Sequence, residues 1–372
     1  MARIERIQLS MVDLVPMVKR TDAIQSFESQ ETPMVTITDS DGATGIGYSY
    51  TIGTGGSSVM RLLADHLCPR LLGKDASAVE AIWHELEFAT HATTIGAITS
   101  IALAAIDTAL WDLRCRKAGL PLWRMAGGAH PAAPCYTTEG GWLHIAPEAL
   151  IEDALAAREK GFTGSKVKIG KPTAAEDVAR ISAMRDALGS GYEIMTDANQ
   201  AFSRDTARRR AEALRPFDLA WIEEPMAADD IQGHVDLAAA AAMPVAVGES
   251  LYSVRHFAEY IARGGASIIQ VDAGRIGGIT PWLKVAHMAE CFDIPVCPHF
   301  LMELHVSLVC AVQNGRYVEY IPQLNEITNS GVTIKDGMAQ APETPGIGID
   351  WDHDALKARA VEEFNRDIRE GK

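Results

Sequence analysis

Three carboxylates at matched spacing carry the first chemical signal. Glu223 closes the apolar run 219–222 and is followed at once by Glu224 and Pro225. Asp197 closes the run 192–196, 26 residues earlier, and Glu249 follows the run 244–248, 26 residues later. Short apolar runs bounded by breakers predict buried strands. If those strands are parallel and joined by helices, their ends meet at one rim of the sheet. Three acids there repel one another unless a cation offsets them. A set with oxygen donors and neither His nor Cys suits Mg²⁺ rather than zinc. Taken singly, each acid would also serve as the N-cap of the helix that follows, and Glu224 is read as bonding locally.

The other run ends add acids and bases. Lys166 and Lys168 stand two apart and point the same way on a strand. Two ammonium groups side by side lower each other's pKa, which would leave one as a neutral base. Asp272 ends IIQVD and His299 lies in VCPHF. Together they predict a dyad in which the carboxylate orients the imidazole and raises its basicity. Glu319 in YVEY marks a further end, and Asn199, two residues past Asp197, is placed to bond a metal water or substrate. Taken alone, the lysines read as a solvated rim, His299 as a satisfied histidine and Asn199 as a turn residue. Together, lysines on the second strand and the dyad on the sixth and seventh face each other across the mouth, with the acids between them. A substrate carboxylate at the metal would then present its α-carbon to two bases, while the metal stabilises the enediolate.

Those residues need strand–helix alternation to position them, and it begins near residue 134. Expected strands are 134–138, 164–169, 193–197, 219–223, 245–249, 268–272, 294–298 and 316–320, with Ala-rich helical stretches between them. Eight strands at this spacing predict a TIM-type barrel. Residues 1–50 read as strands, with a turn at Ser40-Asp41-Gly42, and helical patterns follow over 58–72, 76–89 and 95–118. This α+β region is expected to form a separate capping domain at 1–128, completed by a tail, 325–372, that packs back on it; the barrel takes 129–324.

The chain of 372 residues is long enough for both units. Its net charge of −15 argues against a nucleic-acid partner. No apolar run reaches 18 residues and no signal-peptide pattern is present, so no membrane partner and a cytoplasmic location are expected. The six cysteines are scattered and read as reduced core residues.

The order KxK (166–168), DAN (197–199), WIEEP (221–225), GES (248–250), Asp272, His299 and Glu319 resembles the mandelate racemase subgroup of the enolase superfamily, over essentially the whole chain. The resemblance implies a (β/α)7β barrel under an N-terminal cap. It implies Asp197, Glu223 and Glu249 as Mg²⁺ ligands, and Lys168 as the base on one face with Lys166 tuning it or contacting the substrate carboxylate. It also implies His299 with Asp272 on the other face, and Glu319 as the acid that hydrogen-bonds the substrate carboxylate. CYTTEGGWLH (135–144), GGITPWLK (277–284) and PHFLMELH (298–305) look most like acid-sugar dehydratases of the talarate/galactarate type. Lys19 and Arg20, on a cap loop, would hold the distal carboxylate of a diacid sugar. A racemase or epimerase of a 2-hydroxy acid, and a silent sugar-acid binding protein, are the alternatives. A homo-oligomer is expected from the same resemblance.

Overall fold

The computed structural model describes residues 2–369. Strand Ile4–Leu14 pairs antiparallel with Gln30–Asp39, and that strand pairs with Thr44–Tyr48. The turn between the last two is tied by Asp39, whose Oδ1 accepts from the backbone of Asp41 and Ala43. Arg366–Arg369, from the far end of the chain, adds to the free side of the first strand and completes a four-stranded sheet. Helix Ala97–Ala118 lies directly on this sheet. A Cβ at Gly45 or Gly47 would come within 2.3 Å of the helix backbone at Ala109 or Ala105, so glycine on the strand and alanine on the helix permit the approach. The helix is apolar nearly all round because the barrel covers its other side.

The barrel strands are Ala132–Thr137, Gly164–Lys168, Glu193–Asp197, Trp221–Glu223, Val245–Val247, Ile268–Ile269 and Val318–Tyr320. The first six form one parallel run, and the last returns to pair with the first. Seven outer helices follow strands or strand equivalents, from Pro147–Glu159 to Met302–Ala311. Side chains around the barrel fill its interior: Tyr136, Met195, Trp221, Ala246 and Ile268 from the strands, with Tyr317 just before the last strand and Cys297 from the segment between the sixth strand and helix Met302–Ala311. Lys166, on strand Gly164–Lys168, has its ammonium 5.9 Å from the centre of the Tyr136 ring.

The expected seventh strand, 294–298, is reduced to bridges from Val296 to Ile269 and Gly315. Pro295 and Pro298 flank that residue and cannot donate to a ladder. The fifth strand stops at Val247, because Gly248 adopts φ 157° at a point where a Cβ would come within 2.5 Å of the Gln270 backbone. The tail divides its contacts. Met338–Gln340 pairs with barrel strand Ala132–Thr137, so part of the stretch expected in the cap belongs to the barrel's sheet. Arg366–Arg369 pairs with the first strand of the cap sheet and is reached through helix His353–Arg359. All six cysteines are free and five are buried. Among the described residues no helix is long and apolar enough to cross a membrane.

Candidate active site

Register explains how the first functional groups meet. Lys168 pairs with Asp197, and Asp197 with Glu223, so three side chains stand in one row across adjacent parallel strands. Glu223 pairs in turn with Ala246, which puts Glu249 three residues further along. Equal sequence spacing therefore does not mean equal height: Glu249 reaches the row from the loop after its strand. Asp197, Glu223 and Glu249 are all buried, and each offers an oxygen within 4.8 Å of the others.

The surroundings leave specific oxygens for a cation. Glu223 Oε2 accepts from Gln270 Nε2 at 2.7 Å, Trp221 Nε1 at 3.1 Å and Lys166 Nζ at 3.2 Å, whereas Oε1 has Lys166 alone. Asp197 Oδ1 accepts from the Asn199 backbone at 2.9 Å and Oδ2 from Lys168 at 2.5 Å. Among the described residues Glu249 Oε2 and the side-chain Oδ1 of Asn199 are buried and accept no well-formed hydrogen bond, although His299 Nε2 stands 3.3 Å from the former. Burial and the neighbouring Asp197 carboxylate push Glu223 up to about 7. Three buried carboxylates, two orphaned oxygens and no sulfur or imidazole within the triad fit a hard divalent cation.

The lysines depart from expectation. Burial alone would lower both, and Lys166 does lower Lys168, but carboxylates outweigh these effects and hold both above their ordinary value. Lys166 is bracketed by Glu223 at 2.9 Å and Glu319 at 2.8 Å; Lys168 is held by Asp197. Glu319 differs too. Its oxygens accept from Thr138 Oγ1 at 2.6 Å, Lys166 and the Phe300 backbone at 2.8 Å. Burial would raise it, yet Lys166 and then His299 hold it well below the usual carboxylate range. Glu319, expected to hydrogen-bond a substrate carboxylate, is engaged here by Thr138, Lys166 and the turn after His299.

Asp272 and His299 lie within hydrogen-bond distance of each other. His299 Nδ1 lies 2.9 Å from Asp272 Oδ2, and its Nε2 lies 3.3 Å from Glu249 Oε2. Burial would lower His299, but Glu249 and Asp272 raise it above its ordinary value. Lys168 thus touches the triad at Asp197, and His299 touches it at Glu249. Asp272 caps the short helix Ala273–Ile276 through the backbone of Gly274 and Arg275. The turn past His299 is strained, with Phe300 at φ 61° and Leu301 at φ 27°. His305 spans it, with one ring nitrogen 3.0 Å from the Phe300 carbonyl and the other accepting from the Ala273 backbone at 3.1 Å.

The cap loops reach the mouth. Arg20, expected to face a distal carboxylate, is buried with Nη2 on Glu139 at 2.7 Å and Nη1 on Gln323 at 2.8 Å, so its charge is spent within the protein. Lys19 stays exposed. Tyr50, two residues past strand Thr44–Tyr48, reaches Asp272 at 2.6 Å. Sequence reasoning missed Tyr50, Gln270, Arg275, Thr138 and His305. Gln270 had a signal, being the one polar residue within the apolar run 268–271. A cavity of about 970 Å³ between cap and tail, lined by Thr44, Arg116, Glu303 and Trp351 among others, contains none of the triad or dyad residues.

Two family profiles match the chain: mandelate racemase / muconate lactonizing enzyme, N-terminal domain, over residues 7–127, and enolase C-terminal domain-like over 149–355. The chain belongs to the enolase superfamily. Within the superfamily it is 34% identical over 354 residues to L-talarate/galactarate dehydratase of Salmonella typhimurium, covering 93% of this chain and 88% of that protein. It is 35% identical over 364 residues to 3,6-anhydro-alpha-L-galactonate cycloisomerase of Streptomyces coelicolor, covering 96% and 99%. Its structure matches that of L-talarate dehydratase from Polaromonas sp. JS666 complexed with Mg and L-glucarate at TM-score 0.94 and 34% identity, covering 99% of this chain and all of that one.

Proposed function

We propose that this chain is a Mg²⁺-dependent hydro-lyase that removes water from an acid sugar, an aldarate or aldonate, to give a 2-keto-3-deoxy acid. The observation that carries the reading is the placement of Lys168 and the His299–Asp272 dyad against opposite members of one acid triad. A binding protein has no use for two opposed bases.

Asp197, Glu223 and Glu249 are the residues that would hold Mg²⁺, and Asn199 stands beside them. Bound there, Mg²⁺ supplies positive charge that offsets the three carboxylates and the charge that gathers on the substrate carboxylate as the α-proton leaves. With the carboxylates that hold its proton offset by the cation, Lys168 would act as the free amine and take the α-proton from one face. The electron pair left on the α-carbon passes through the enediolate and expels the β-hydroxyl. His299, as imidazolium, gives that hydroxyl its proton, so it departs as water. The enol that remains tautomerises to the keto acid. Lys166 and Glu319 fix the floor of the site, and burial under the cap keeps bulk water from the carbanionic species. Lys19 is the cation left to meet a distal carboxylate; Arg20 braces its loop.

The dehydratase and cycloisomerase relatives make the product the deciding measurement. Purified enzyme with Mg²⁺ is screened against mono- and diacid sugars, with semicarbazide to trap keto acids. A keto acid from at least one acid sugar is expected. Recovery of only an epimer, or ring opening without a net loss of water, overturns the dehydratase reading.

A further inference from the structure

Tyr50 belongs to the cap, two residues beyond strand Thr44–Tyr48, yet its hydroxyl ends inside the barrel mouth. The side chain is buried, with 1% of its surface exposed. Its oxygen lies 2.6 Å from Asp272 Oδ2 and 2.9 Å from Arg275 Nε. These contacts fix the direction of its single proton. A guanidinium can only donate, so Arg275 occupies an acceptor position on the phenol and the phenol proton goes to Asp272. Burial, the largest influence on the group, keeps it a neutral phenol.

Asp272 is then fully subscribed. Oδ1 accepts from the backbone of Gly274 at 2.7 Å and of Arg275 at 3.3 Å; Oδ2 accepts from Tyr50 and faces His299 Nδ1 at 2.9 Å. Tyr50 therefore shares the oxygen that orients the imidazole. Its ring also packs at 4.6 Å, centre to centre, on Phe300, the strained residue next to His299, and Phe300 stacks on the His299 ring at 5.2 Å. Hydrogen bond and packing together hold the dyad from the cap side.

Among the described residues no cap side chain hydrogen-bonds Lys168 or Asp197. The Lys168 ammonium is held by Asp197 and lies 5.3 Å from the Trp142 ring, both in the barrel. The cap approaches this side without a hydrogen bond to the base or its partner: the Arg20 guanidinium lies 5.9 Å from the centre of the Trp142 ring, Leu143 N donates to the Thr21 carbonyl at 2.8 Å, and Ala23 lies against Gly170.

We propose that Tyr50 is a positioning residue for the His299–Asp272 dyad, so that chemistry on the His299 face depends on the docked cap while chemistry on the Lys168 face is assembled within the barrel. The inference rests on the two-face reading above and adds an asymmetry to it.

The test is Tyr50→Phe in the full-length, Mg²⁺-loaded enzyme, with α-proton exchange in D₂O followed separately on the two epimers of an acid sugar that each face takes. Loss of one hydrogen bond to a charged group predicts a fall of about 10- to 100-fold for the His299-face epimer. The Lys168-face epimer should exchange within about twofold of wild type, a bound well inside a tenfold step. KM should move little on either. Equal losses on both faces, or none on either, overturn the proposal. If wild type exchanges neither epimer, the two-face reading fails, and Tyr50 is judged on the ring alone. With ¹⁵N-labelled histidine, the Nδ1 proton signal of His299 must then move in Tyr50→Phe and stay put in Trp142→Phe; an unmoved signal in Tyr50→Phe overturns the positioning role.

Discussion

The two halves of the barrel mouth are built by different means. Around Lys168, Asp197 and Glu223 a continuous parallel ladder sets the height of every side chain. Around Asp272 and His299 the ladder has thinned to bridges at Val296. There the side chains are held by a network: Tyr50 from the cap, His305 from the following helix and the capped backbone after Asp272. The cap grips this half elsewhere too. Asp107 accepts from Thr280 N and Oγ1, Trp111 donates to Thr280, and Trp83 donates to the Gly277 carbonyl. A ladder is a local device, secure once neighbouring strands pair. A network draws on distant parts of the chain and fails when any of them is displaced.

The largest effect should come from the ladder half. Stripping divalent cations with EDTA should cut turnover by about 10³-fold or more, the several kcal/mol a Lewis-acid ion contributes, and Mg²⁺ should restore it. Full activity after chelation, confirmed by metal analysis, would remove the triad from the mechanism. Next come the bases, each worth about 10²- to 10⁴-fold. Lys168→Ala should lose both dehydration and α-proton exchange for the epimer whose proton points to it. His299→Asn should lose dehydration of that epimer but keep its exchange. Wild-type exchange in both variants on both epimers would end the two-base reading.

Stability should sharpen the contrast. His305→Ala leaves the Ala273 N–H without its acceptor and the Phe300 carbonyl without its ring partner, at roughly 1–3 kcal/mol for each buried group. A volume-conserving swap in the ladder half, Met195→Leu, should cost under about 1.5 kcal/mol. Urea unfolding of the two variants compares them directly, and equal costs would contradict a network more fragile than the ladder.

The smallest effect concerns pH at the seam between cap and barrel. Burial, the leading cause, pushes the Asp107 carboxyl up to about 7. The folded protein thus favours the neutral acid, while the unfolded chain ionises near the ordinary value. The stability this contributes is fully present below about pH 4 and is lost as pH rises through about 7. Between about pH 6 and pH 8 the loss should be roughly 1 kcal/mol. Asp107→Asn keeps an acceptor for the Thr280 backbone and cannot ionise, so its unfolding midpoint should be flatter with pH over that range. An unchanged slope would show that Asp107 does not titrate there.

What could be read from the sequence follows the same division. Asp197 and Glu223 were legible because a strand-plus-helix repeat converts spacing directly into position. Glu249 was legible by spacing, though its height was not, since Gly248 ends its strand early. The (β/α)7β barrel and its cap followed from the alternation and the resemblance; the prolines at 295 and 298 were visible, but their effect on the seventh strand was not drawn. Tyr50 and His305 gave no local signal, because a tyrosine after a strand and a histidine in an apolar helix are common core residues. Arg20 misled for the opposite reason: a cationic loop residue suggests an anionic ligand, and only three dimensions show Glu139 already beside it. The tail was expected to serve the cap alone, since nothing in 334–340 announces a partner among the barrel strands.

Arg366–Arg369 lies along Ile4–Leu14 in register, Arg6 beside Arg369 and Leu9 beside Arg366, with the entire barrel between them in sequence. During synthesis the first strand therefore emerges long before the strand that will cover its edge. Until then it presents bare backbone groups of the kind that invite pairing with another chain. The barrel can close while the cap sheet is still one strand short.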